Sequence, residues 1–184
     1  MVTRIAIFDT IFHCNPNRMA GQSIIIVGTN GTGKTTYIKE RLKNVNKYSL
    51  LLYDVNNEYQ GIYDDPFVKM EEFLEQATKV NNHVIVFEEA TIFFSNRSTN
   101  EQMRELLVRR RHTKNMLFLV FHSIRSVPRD IMDMSNYLVL KYTNDSPKFI
   151  ERKFENEAID EAVLKLKSTN KSGDPFHTIL VPLK

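Results

Sequence analysis

Apolar residues along this chain gather into short unbroken runs, separated by stretches in which they recur every three or four positions. Ile24 to Val27 (IIIV) is the first run, and Ser49 to Tyr53 (SLLLY), His83 to Phe87 (HVIVF), Met116 to Phe121 (MLFLVF) and Tyr137 to Leu140 (YLVL) repeat it. Runs of four to six apolar residues with polar borders fit strands buried on both faces, as in a parallel sheet. Between them, Ile38, Arg41, Leu42 and Val45, then Met70, Phe73, Leu74 and Ala77, then Met103, Leu106 and Leu107 mark one stripe each of an amphipathic helix. Ser98 with Glu101, or Thr99 with Gln102, offers a capping box for the third helix. At the borders the pattern predicts an edge strand over Arg4 to Phe8 and a loop over Asn15 to Gly21. Later it predicts a short helix opened by Ser126 and Pro128 and running through Met132, a strand at Lys148 to Ile150, and a helix with Ile159, Ala162, Val163 and Leu166 on one face. A polar linker, Ser168 to Asp174, then precedes a last strand, His177 to Val181. Strands alternating with helices imply an α/β fold, with a mainly parallel central sheet flanked by helices and right-handed crossovers.

The first run continues into a loop rich in glycine, and SIIIVGTNGTGKTT fits the Walker A pattern in full: Gly28, four residues, Gly33, Lys34, Thr35. The backbone over Gly28, Thr29, Asn30, Gly31, Thr32 and Gly33 is expected to turn its N–H groups onto a di- or triphosphate, aided by the positive end of the helix that starts at Lys34, Thr35 and Thr36. Lys34 adds a point charge for the outer phosphates, and the Thr35 hydroxyl is a ligand for Mg²⁺. A glycine-rich turn that binds nothing lacks this sequence of strand, loop and helix. Asp54 closes the second run, at the strand end where ligands bind in open α/β sheets, and is expected at the nucleotide. Capping the turn that follows is its plainer role.

The run HVIVF ends in Glu88 and Glu89, the Walker B arrangement of an apolar strand with acids at its tip. Glu88 is expected near Mg²⁺, and Glu89 as the general base that orients and deprotonates the attacking water. Asp is commoner in the first position, so Glu88 is longer by one methylene. At the end of MLFLVF stand His122 and Ser123.

Composition narrows the class further. The chain has 184 residues, a formal net charge of +3 and a single cysteine, Cys14. One domain of this length buries a sizeable core. The small charge argues against a histone-like binder, although basic residues cluster at Arg109, Arg110 and Arg111. A lone cysteine excludes an intramolecular disulfide and a multi-thiolate metal site, and no apolar run approaches the roughly 18 residues of a membrane span. A reducing, cytoplasmic setting is therefore expected.

Glutamate beside the Walker B acid makes the chain resemble the RecA-like ASCE division of P-loop NTPases, in which an extra strand lies between the Walker A and Walker B strands. The resemblance makes Met116 to Phe121 that strand and turns His122 toward the γ-phosphate. More specifically, Ala20 to about Ser146 resembles the FtsK/HerA superfamily of DNA-translocating ATPases, in the minimal form of viral genome-packaging ATPases. GTNGTGKT, DVNNEY, VIVFEE and RRRHTKNMLFLVFHSIRSVPRDI carry it. The family usually has Gln where this chain has His122.

The resemblance implies Mg²⁺-dependent ATP hydrolysis coupled to sequence-independent movement of DNA, during packaging of a viral genome at a capsid or portal vertex. It also implies a ring, often a hexamer, in which an arginine reaches the neighbour's nucleotide and raises turnover roughly 10³- to 10⁵-fold. Arg109, Arg110 and Arg111 are the candidates, with Arg125 and Arg129 behind them; a basic helix end and contacts to DNA phosphates are the other readings of the triplet. Phe93 to Asn100 is the candidate pore loop, with core packing the alternative for Phe93 and Phe94. Two other functions share the phosphate loop: a small nucleoside or nucleotide kinase, and a nucleotide-dependent assembly ATPase or switch. Neither Asn46-Lys47 nor Asn170-Lys171 continues into the Asn-Lys-x-Asp of guanine-specific switches, which favours ATP over GTP.

Overall fold

A computed structural model describes residues 20–63, 65–94, 97–171 and 176–184, with the side chains of 97–99 and 170–171 set aside. Six strands form one sheet: β1 (Ser23–Val27), β2 (Leu50–Tyr53), β3 (Val84–Phe87), β4 (Met116–Phe121), β5 (Tyr137–Leu140) and β6 (Ile179–Pro182). Their order across the sheet is β2-β3-β4-β1-β5-β6, so β4 is inserted between β1 and β3. All neighbouring pairs are parallel except β5 with β6, which closes the edge antiparallel.

Every residue of β1, β3 and β4 is buried, which is why these strands read as unbroken apolar runs rather than alternating ones. Alternate side chains divide between two cores. Ile24, Ile26, Val86, Phe118 and Val120 pack on helix α1 (Lys34–Leu42) through Ile38 and Leu42, and on Tyr59. Ile25, Val27, Phe87, Leu119 and Phe121 face the other way. There they meet α2 (Met70–Lys79), α3 (Arg97–Thr113), α4 (Arg129–Met134), α5 (Pro147–Phe154) and α6 (Glu157–Lys171).

The structure corrects several expectations from the pattern. Lys148 to Ile150 lies in a helix, α5, which starts at Pro147 directly after Ser146, where the fixed proline φ suits a first turn. α3 starts at Arg97, so both capping pairs fall inside its first turns rather than ahead of it. The short helix near Pro128 begins one residue after it, Ser126 belonging to a separate turn, and α6 runs on through Ser168 to Lys171 instead of giving way to a linker. Phe93 is fully buried against Tyr53, Phe73 and Phe87, and Phe94 stacks on Phe121, so both are core rather than pore residues. Residues 147–171 and 176–184 contribute to the body as well, since Ile150, Ile159, Val163, Leu166 and Val181 enter the same core as Phe87. The strand expected at Arg4 to Phe8 lies outside the described residues.

Candidate active site

The carboxyl ends of β1, β3 and β4 and the loop after β2 open into one cavity of about 550 Å³. Its floor is the phosphate loop. Gly28 is required by close approach: a Cβ there would lie 2.6 Å from Thr32 Oγ1 and 2.8 Å from Lys141 Cβ. Gly33 caps α1 with φ 77°, a left-handed backbone, and no side chain caps the helix, so the N–H groups of its first turn face the cavity. The Thr29 amide and hydroxyl are tied to the Tyr142 carbonyl, at 2.9 and 3.4 Å, and the Thr32 hydroxyl donates to the Thr29 carbonyl at 2.8 Å. Thr29 and Thr32 thus shape the loop, while Asn30, Gly31, Gly33, Lys34, Thr35 and Thr36 line the cavity.

Lys34 is buried and donates to the Thr29 carbonyl at 3.1 Å. Burial holds its ammonium below the usual lysine range, against the pull of Glu88, Glu89 and Glu58. Its Nζ also lies 3.4 Å from His122 Nδ1, and His122 Nε2 lies 2.5 Å from Glu89 Oε1. A charged ammonium has no lone pair, so Nδ1 accepts and the ring proton sits on Nε2, donated to the Glu89 carboxylate. Lys34, His122 and Glu89 therefore form one chain across the cavity.

Glu89 holds φ 58°, a backbone that costs a non-glycine residue roughly 1 kcal/mol or more. That kink sends the Glu88 and Glu89 carboxylates to different places. Glu89 stays half-exposed beside His122, whereas Glu88 is buried and accepts from the Tyr59 hydroxyl at 2.6 Å. Burial pushes the Glu88 carboxyl up to about 7, although the Tyr59 hydrogen bond and Lys34 pull the other way. Burial and Glu88 together drive the Tyr59 phenol far above its ordinary value.

The loop after β2 departs from the sequence reading. Asp54 is fully buried and its Oδ2 accepts from the Tyr59 amide at 3.0 Å, so it braces the turn and does not line the cavity. Glu58 lines it instead, and takes the Thr35 hydroxyl at 2.6 Å. Adjacent residues of one loop thus hold both side chains expected to meet a metal: Glu58 holds Thr35 and Tyr59 holds Glu88. In the run VNNEYQG nothing local separates Glu58 from an exposed loop acid. The order of the sheet, β2 on β3, β3 on β4 and β4 on β1, brings it to the phosphate loop.

The arginine triplet lies at the other end of the sheet. α3 leads into the start of β4, and a Cβ on Gly21, just before β1, would meet Arg111 Cα at 3.1 Å. About 15 Å of strand separates that edge from the phosphate loop. Arg110 is buried and donates to the carbonyls of Leu107 and Met134 and to Asn136 Oδ1, so it staples α3 to the start of β5 and is removed from the finger candidates. The helical period held this signal, because position 110 continues the stripe of Met103, Leu106 and Leu107. Arg109 pairs with Glu105 on the surface, and Arg111 is exposed. Arg125 stacks over Phe149 at 4.9 Å and lies 4.0 Å from Asp145, while Arg129 is 3.7 Å from Glu155.

A nucleotide with Mg²⁺ fits these donors. N–H groups at an uncapped helix start and a buried ammonium suit phosphates. The Thr35 hydroxyl and the Glu58 and Glu88 carboxylates are the hard oxygens that Mg²⁺ takes. Among the described residues no three His, Cys, Asp or Glu side chains converge on one point, and Mg²⁺ usually combines one or two carboxylates with phosphate oxygens.

The family model of the ATPase family associated with various cellular activities (AAA) matches residues 24–164. Among solved structures, the DNA-packaging ATPase from Sulfolobus turreted icosahedral virus superposes with a TM-score of 0.68 at 18% identity, over 90% of this chain and 94% of that one. The genome-packaging NTPase of Sulfolobus turreted icosahedral virus 2 in complex with ATP-gammaS gives 0.69 at 20% identity, over 89% and 92%. Its complex with AMPPCP gives 0.68 at 18%, over 88% and 92%. At such identities the likeness is one of fold. No curated protein matches the sequence. No helix among the described residues is long and apolar enough to cross a membrane.

Proposed function

The chain belongs to the ATPase family associated with various cellular activities, and from that premise we propose that it hydrolyses ATP with Mg²⁺ and couples the reaction to moving DNA into a viral particle. The observation that carries the hydrolytic step is the Lys34, His122, Glu89 chain across the phosphate cavity. The N–H groups of the phosphate loop and α1 hold the triphosphate, and Lys34 exchanges the Thr29 carbonyl for its outer phosphates. The Thr35 hydroxyl and Glu88 would hold Mg²⁺, which would neutralise phosphate charge when bound. Glu89, aimed by His122, takes the proton of the attacking water. His122 is then placed to feel whether the Lys34 ammonium faces it or a phosphate.

The DNA and packaging parts rest on two supports: the fold shared with the viral packaging ATPases, and the four motif blocks that resemble the FtsK/HerA superfamily. In a ring, the exposed Arg109 and Arg111 lie on the end of the sheet farthest from their own cavity, and reach only a neighbour's nucleotide or the DNA. Sequence-independent tracking works through phosphate contacts, which weaken as salt rises. Hydrolysis by the purified chain should therefore rise on adding DNA of any sequence, and the rise should shrink between 50 and 200 mM salt. Basal hydrolysis with no response to DNA at either salt would retain the ATPase and remove the motor. Phosphorylation of an added nucleoside would replace hydrolysis with a kinase reaction.

A further inference from the structure

The order of strands gives the cavity a direction. Along the carboxyl edge of the sheet, Glu58 follows β2, Glu89 follows β3, His122 follows β4, the phosphate loop follows β1, and Lys141 follows β5 beside β6. The groups suited to water and the terminal phosphate all lie on the β2, β3 and β4 side of the loop. The nucleoside end of a bound nucleotide must then leave toward β5 and β6. On that side stands Phe176, the one Phe, Tyr or Trp among the described residues that line the cavity; the other ring there, His122, is on the opposite side and held by Glu89. Phe176 is 62% exposed, and a Cβ on Gly33 would come within 3.2 Å of its ring.

Phe176 is held where it stands. Lys141, buried to 4% exposure next to the phosphate loop, donates through Nζ to Thr178 Oγ1 at 2.9 Å and to the Phe176 carbonyl at 3.4 Å. Thr178 leads directly into β6, whose pairing with β5 fixes the segment to the sheet. A lysine taken out of water beside the phosphate loop holds this segment through a hydroxyl and a carbonyl, and sets an exposed residue at the rim of an otherwise polar cavity.

We propose that Phe176 is the stacking platform for the base of the bound nucleotide, with Lys141 and Thr178 as its positioning residues. This rests on the reading of the cavity as a nucleoside triphosphate site. Every nucleobase has a π-face, and stacking on an aromatic ring is worth about tenfold in affinity or more. Binding should be followed by calorimetry on the full chain with Mg²⁺, using ATP and inorganic tripolyphosphate as the two probes. Phe176→Ala should weaken ATP about tenfold and leave tripolyphosphate unchanged, and the melting temperature without ligand should stay put because the ring is exposed. The chain contains no tryptophan, so Phe176→Trp supplies a single reporter, whose emission should change with ATP and not with tripolyphosphate. Wild-type affinity for ATP in Phe176→Ala, or an equal emission change with both probes, would overturn the platform and leave the phosphate site standing. If neither probe binds the wild-type chain, the triphosphate reading itself fails and takes the platform with it.

Discussion

The two ends of this sheet treat charge in opposite ways. At the carboxyl edge Lys34 and Glu88 are buried near one another, each displaced by burial from its ordinary ionisation, and Glu89 sits in a left-handed backbone. At the amino edge Arg110 is equally buried, and burial holds it too below its ordinary value, yet its guanidinium meets two carbonyls and an amide oxygen that join α3 to β5. One edge holds charge against stability and keeps it facing a cavity. The other turns a charge into a structural staple. A cluster of charged residues in sequence therefore says little until its backbone surroundings are known.

The largest test of that contrast is catalytic. Glu89→Gln keeps the size of the side chain and the contact with His122 but removes the base, so turnover should fall by at least about 100-fold with ATP binding retained. Single-turnover hydrolysis and calorimetric binding check it. Turnover within twofold of wild type would move the base elsewhere in the cavity and leave the kink at Glu89 without a purpose.

Next in size is the stability cost of Glu88. Its folded carboxyl is raised to about 7 from an ordinary 4.5, so its contribution is favourable below about pH 4.5 and is lost as pH rises through 7. A rise of that size corresponds to about 3 kcal/mol at most. Glu88→Gln still accepts from Tyr59 and escapes the loss. Without nucleotide it should melt with the wild type at pH 5 and clearly above it at pH 8. Parallel melting curves across that interval would mean that Lys34 neutralises the carboxylate fully.

How much of this was legible along the chain depended on how far apart the partners lie. The phosphate loop is made by consecutive residues, so strand, turn and helix announce it together. The inserted place of β4 came from the resemblance to the ASCE division and not from any pattern within the run itself. The clasp of Tyr59 on Glu88 joins positions 29 apart through the pairing of β2 with β3, and no local pattern marks it. Asp54 looked like the ligand-facing acid because it ends a strand, but the carboxylate four residues later is the one that reaches the loop. Arg110 differs from its neighbours only by its phase on the helix, which the apolar stripe of α3 contained. The strand expected at Lys148 to Ile150 failed because a three-residue pattern was weighed above the Ser-Pro pair that opens α5.

At the amino edge the sign reverses. Arg110→Ala should destabilise the chain by about 2 kcal/mol, since the acceptors it leaves are buried or partly so. Denaturant midpoints measure it, and the loss should be the same with and without nucleotide because no part of the cavity is touched. A variant as stable as wild type would return Arg110 to the candidates for a partner contact.

Arg109 gives the smallest effect and the sharpest separation of roles. Its ion pair with Glu105 spans one helical turn, and the two side chains are 51% and 53% exposed. Pairs of this kind contribute less than about 0.5 kcal/mol, so Arg109→Ala should leave the denaturant midpoint within error of the wild type. Any loss in DNA-stimulated hydrolysis or in assembly then belongs to a surface met by another molecule and not to the fold of the chain itself. Arg111→Ala, two residues on and likewise exposed, serves as its companion. If both variants keep stability and full stimulation by DNA, the amino edge is structural throughout, and a motor built on this chain must contact its neighbour or its track through the carboxyl edge, where Arg125 and Arg129 lie beyond β4.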